Sequence, residues 1–73
     1  MVKVKAKTLE NHVILDCSKP DGLQFRLVVD TNTLDLLEKP EYPDIDASVV
    51  YSRVYRLLSA GKPIPKCFSA EWG

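Results

Sequence analysis

The sequence predicts an α+β fold: a three-stranded antiparallel β-meander covered on one face by one main α-helix. A short helical turn, or a fourth strand, is expected between them, and a C-terminal tail anchored by aromatic side chains completes the chain. Three observations carry this reading. Apolar and polar residues alternate over residues 1–30, an apolar stripe recurs at helical spacing over residues 44–60, and turn-forming residues stand between the segments. The length of 73 residues makes residues 1–73 one small domain, of a size that buries about 60% of the surface its unfolded chain exposes.

The first strand alternates Val2, Val4, Ala6 and Thr8 with Lys3, Lys5 and Lys7, the period of a half-buried strand. A second runs from His12 to Cys17. A third, Leu23 to Asp30, puts Leu23, Phe25, Leu27 and Val29 on one face. Between them Lys19-Pro20-Asp21-Gly22 offers proline for the first central position of a turn and glycine for the positive φ that closes a bulged hairpin.

Register is set by the loops. A two-residue Glu10-Asn11 loop pairs Val4 with Cys17, Ala6 with Leu15, Thr8 with Val13 and Lys5 with Asp16. A Pro20-Asp21-Gly22 loop pairs Cys17 with Phe25, Leu15 with Leu27, Val13 with Val29 and Asp16 with Arg26. Both registers set apolar against apolar on one face and give Asp16 a basic partner across the strand. A slip of one residue reverses every side chain and destroys the match.

Residues 31–43 read as a short helical turn and linker. Asp30-Thr31-Asn32-Thr33 is rich in helix-capping residues, Pro40 ends the turn, and Thr33 to Glu38 is the segment that alternatively forms a fourth strand. The main helix, 44–60, takes Asp44 or Asp46 as its cap and buries Ala47, Val50, Tyr51, Val54, Leu57 and Leu58, with Tyr55 also assigned to core packing. Gly61 stops it in the left-handed conformation. Residues 61–73 form a connector, Lys62-Pro63-Ile64-Pro65-Lys66, and a tail whose Phe68 and Trp72 pin it to this core or to a second subunit.

The charges sum to zero, but unevenly: +3 over residues 1–9, −6 over 10–46 and +3 over 47–73. Neutrality excludes a uniformly basic nucleic-acid binder and leaves local basic surfaces intact. Lysines on the first strand also guard it against edge-to-edge pairing if it lies at the sheet edge. No apolar run approaches the roughly 20 residues of a membrane span, and the alternating start is not a signal peptide, so a cytoplasmic protein without a membrane partner is expected. Two cysteines, Cys17 and Cys67, and one histidine, His12, cannot form a four-ligand zinc site. In a reducing compartment the cysteines are expected as separate thiols. No metal and no cofactor is expected.

No phosphate loop, nucleophile elbow or paired-carboxylate motif is present, and His12 beside Glu10 and Asp16 reads as a hairpin corner. The expectation is therefore a non-catalytic protein-binding or regulatory module, monomeric or homodimeric. Two surfaces are candidates. One is the outer sheet face, where an apolar Ile14–Val28 pair is rimmed by Lys5, Lys7 and Arg26. The other is the exposed helix and connector, with Arg53, Arg56, Lys62 and Lys66. Nucleic-acid binding through the same basic groups is the alternative, and a thiol enzyme using Cys67 a more distant one.

Overall fold

A computed structural model describes residues 1–71. Five strands and one helix are arranged in the order β1 (Val2–Thr8), β2 (His12–Ser18), β3 (Gln24–Asp30), β4 (Leu36–Glu38), α1 (Ile45–Ser59) and β5 (Cys67–Ala70). They form one antiparallel sheet of order β4-β3-β2-β1-β5. The α+β class, the meander and the covering helix are thus as the sequence predicts. The sheet is wider by one short strand at each edge.

The meander has the register that the loops dictate. Val4 stands opposite Cys17, Ala6 opposite Leu15, Leu15 opposite Leu27 and Asp16 opposite Arg26. The first loop closes through Leu9 N–H donating to the His12 carbonyl at 2.8 Å. In the second, Gly22 (φ 92°) donates to the Lys19 carbonyl at 3.0 Å, and Lys19 donates to that of Leu23 at 2.8 Å. Leu23 lies in this loop, 63% exposed, and not on the covered face. The Asp21 carboxylate accepts from its N–H at 3.0 Å, which takes the residue out of the strand alternation.

Residues 36–38 take the strand alternative instead of the helical turn. The Asp30 carboxylate does accept two nearby N–H groups, of Asn32 at 2.7 Å and Thr33 at 2.9 Å, as a helix cap does. Leu34 then turns to φ 67°, and its N–H donates to the Asp30 carbonyl at 2.8 Å. The capping residues therefore close a tight loop that returns β4 to β3. A left-handed conformation costs a residue with a side chain roughly 1–2 kcal/mol. The Tyr51 hydroxyl, donating to the Leu34 carbonyl at 2.7 Å, helps to hold it.

Asp44, extended at φ −144° and ψ 122°, caps α1: its carboxylate accepts from Asp46 N–H at 2.8 Å and Ala47 N–H at 3.2 Å. At the other end Gly61 (φ 69°) donates to the Leu58 carbonyl and Lys62 N–H to that of Leu57, closing the helix with a pair of reversed hydrogen bonds.

The core lies between α1 and the sheet. Val2, Val4, Val13, Leu15, Cys17, Leu27 and Val29 come from the meander, Ala47, Val50 and Val54 from the helix, and Ala70 from β5. Tyr51, Leu58, Ile64 and Phe68 pack around it, half-buried. Tyr55 is 46% exposed and does not join the core. The buried stripe runs through Ala47, Val50 and Val54, and Tyr55 falls beside it, edge-on to Tyr51 with ring centroids 6.0 Å apart.

The tail anchors by backbone pairing as well as by its ring. β5 pairs with β1, setting Phe68 opposite Val4 and Ala70 opposite Val2, and Ala6 N–H donates to the Lys66 carbonyl at 2.8 Å. β1 is consequently an interior strand, so its lysines do not guard an edge of the folded sheet. Trp72, the second expected anchor, lies outside the described residues.

Candidate functional site

The pleat sends every second residue of β1 to β3 to the face away from α1. Cross-strand pairing then orders that outer face into rungs. One runs Lys7, Ile14, Val28, Glu38; the next Cys67, Lys5, Asp16, Arg26; the next Ser69, Lys3, Ser18, Gln24. Five residues of the first candidate surface, Lys5, Lys7, Ile14, Arg26 and Val28, are brought together here. Lys3 belongs with them, and β5 adds Cys67 and Ser69, which a reading without β5 does not place.

The basic groups of this face differ in what they touch. Arg26 Nε lies 2.9 Å from Asp16 Oδ1, which together with nearby Glu38 holds the guanidinium more firmly protonated than usual. Lys5 stands opposite Asp16, yet among the described residues neither it nor Lys3 or Lys7 makes an ion pair. Three exposed ammonium groups therefore line β1 at intervals of about 7 Å. Beside them Ile14 and Val28 are only half-buried. Lys5, Asp16, Ser18, Gln24 and Arg26 also border an open depression of about 590 Å³ on this face.

The second candidate surface is divided. Arg53 lies over the Phe68 ring, 5.4 Å from its centroid, and donates to the Ser69 carbonyl at 3.4 Å. It is thus drawn into anchoring β5. With Arg56 it lines a cleft of about 550 Å³ between α1 and β5. Lys62 and Lys66 are exposed but do not line that cleft; their backbones close the helix end and pair with β1.

The cysteines occupy opposite faces of the sheet. Cys17 is buried in the core, where burial above all, and then the charges of Asp16 and Asp44, push its thiol up to about 12. Cys67 is exposed on the outer face, across from Lys5. Both are free. His12 is half-buried and pairs across the strand with Asp30, whose carboxyl is held below its ordinary value first by the Thr33 and Asn32 N–H groups. Among the described residues no three His, Cys, Asp or Glu side chains converge as a metal site, and no helix is long and apolar enough to cross a membrane.

One strong ionic contact joins the two layers. Lys19, in the β2–β3 loop, pairs with the cap Asp44 and approaches Asp46 at 3.7 Å, with its ammonium 5.9 Å from the Phe25 ring centroid. The Lys19 contact, with the helix N–H groups, lowers the Asp44 carboxyl below the usual carboxylate range.

Comparison with family models, curated proteins and solved structures finds no match for this chain.

Proposed function

We propose that the chain is a non-catalytic protein-binding module whose contact surface is the outer sheet face and whose partner presents acidic side chains around an apolar group. The observation that supports this reading is the row Lys3, Lys5, Lys7, free of ion pairs among the described residues, beside the half-buried Ile14 and Val28. Contact surfaces combine an apolar centre with a polar rim in this way, and the charged rim steers association. Arg26 contributes less charge, since Asp16 already pairs with it.

The test is an amide chemical-shift titration of the labelled protein with an acidic peptide carrying leucines, and separately with single- and double-stranded oligonucleotides. Peptide-induced shifts confined to the β1–β3 outer face, lost in Ile14→Asp and Lys5→Glu, are expected. Oligonucleotide binding that weakens steeply with salt and ignores Val28→Asp replaces the protein partner by a phosphate backbone. A face that responds to neither probe sinks the proposal.

A further inference from the structure

β5 ends the sheet with an open edge whose free groups can be assigned from the ladder. The Leu9 N–H bond to the His12 carbonyl fixes the phase: Lys3, Lys5 and Lys7 turn their backbone groups to β2, and Val2, Val4 and Ala6 turn theirs to β5. The Ala6 N–H bond to the Lys66 carbonyl agrees with it, so Phe68 and Ala70 are the residues of β5 that bond to β1. Cys67 and Ser69, both exposed, direct their N–H and C=O groups away from the sheet. Among the described residues one of these four groups has a partner: the Ser69 carbonyl accepts from Arg53 at 3.4 Å. The open edge therefore faces the cleft between α1 and β5.

That cleft has apolar walls at Val49, Leu57 and Ala70, and Arg56 lines it without an ion pair among the described residues. The surrounding charge is one-sided. Residues 1–9 and 47–71, which supply β1, most of α1, the connector and β5, hold seven lysines and arginines against Glu71 alone. None of the seven makes an ion pair among the described residues. The other edge, β4, is three residues long, bulged, and part of the acidic segment 10–46. Unpaired backbone groups in a row are answered in register only by another extended chain, while pockets beside the edge receive its alternate side chains. A positive surround favours an acidic chain and repels a basic one.

We propose that the open edge of β5 takes an extended acidic segment of a partner protein as a sixth strand. An aliphatic side chain of that segment lies against Val49 and Leu57, and a carboxylate reaches Arg56. This goes beyond the outer sheet face, because the grip is by backbone hydrogen bonds at the edge.

Fluorescence anisotropy and amide hydrogen exchange of the full chain with a labelled peptide of alternating glutamate and valine test it. Both are run on the parent and on Ile14→Asp, in which the outer face is expected to release acidic peptides, so the two surfaces are judged separately. Binding should persist in Ile14→Asp and slow exchange at Cys67 and Ser69. The peptide with lysines for glutamates should bind at least about tenfold more weakly. Arg56→Glu, at an exposed position, should weaken the glutamate peptide about fivefold to tenfold. Methylating every backbone nitrogen of the peptide should abolish binding while keeping its charges. Ser69→Pro removes an edge N–H that β1 does not use, a change that edge strands tolerate, and should weaken the peptide; if that variant unfolds, the methylated peptide makes the same comparison. Binding that vanishes in Ile14→Asp, unchanged exchange at Cys67 and Ser69, or equal binding of the methylated or lysine peptide overturns the proposal. Protection of Cys67 and Ser69 that grows with protein concentration in the absence of peptide also overturns it, because the occupant is then a second copy.

Discussion

Asp44 performs two tasks that substitution can separate. Its carboxylate caps α1 by accepting from Asp46 and Ala47, and its charge holds Lys19 of the β2–β3 loop. Asp44→Ala removes both. Asp44→Asn keeps an acceptor for the helix N–H groups and removes only the charge. Loss of a cap costs about 1 kcal/mol, within a range of about 0.5–2. For a domain of this size that corresponds to a fall in Tm of roughly 4–8 °C. The Ala variant should therefore melt about 4–8 °C below the Asn variant, and this gap should persist when salt is raised, because the cap bonds are short-ranged. The gap between Asn and the parent should shrink with salt, since it reports the ion pair. Thermal melting monitored by far-ultraviolet circular dichroism, at low and high salt, measures both gaps. If Asp44→Asn melts as low as Asp44→Ala, the cap adds nothing and the derivation of the helix start from this residue is refuted.

Acid should destabilise the fold through the same residue. The carboxyls of Asp44 and Asp30 lie below their ordinary values, so the folded state favours their ionised forms. Their contribution is complete above the unfolded value of about 4 and disappears as pH falls through the depressed ones. Urea midpoints should be flat from neutrality to about pH 5 and fall below about pH 4, less steeply in Asp44→Asn; a flat profile through this range refutes the assignment. Lys19 runs the other way: its raised value makes its contribution full below about pH 10.4 and lost above the raised value. The thiols should separate in kinetics, with Cys67 reacting quickly with a disulfide reagent and Cys17 reacting only after unfolding; two fast thiols would contradict the burial of Cys17.

The meander is legible in the sequence because three independent constraints coincide in it: alternation, loop chemistry and the charges flanking Asp16. Each long strand repeats its pattern often enough for a one-residue slip to be costly. β4 and β5 give no such repetition. Leu36–Glu38 spans less than two periods, and its pairing with Val28 and Val29 is interrupted by a bulge. In Cys67–Ala70 only Phe68 and Ala70 point inward, and the preceding Pro63 and Pro65 read as connector. The inner position of Ala70 against the outer Ser69 is the available signal. For the candidate surface, Ile14, Val28 and the lysines are placed directly by register. The open edge of β5 and the cleft beside it are not, because they exist only where β5 pairs with β1 alongside the helix. Arg53 is exposed, as its place off the apolar stripe implies, but its hold on Phe68 depends on β5.

The pairing of β5 with β1 also bears on how the sheet assembles. Val4 meets Cys17 across a short hairpin but meets Phe68 across nearly the whole chain. Closing the longer span costs roughly 1–2 kcal/mol more in chain entropy, and only four residue pairs repay it. β5 is therefore expected to act as a latch that docks late and opens early, so amide exchange at Phe68 should outrun that at Leu15. While the latch is open, β1 is an exposed edge, and Lys3, Lys5 and Lys7 then repel a second copy that would add to it. The same three lysines protect the incomplete sheet and, once β5 has closed, belong to its outer face.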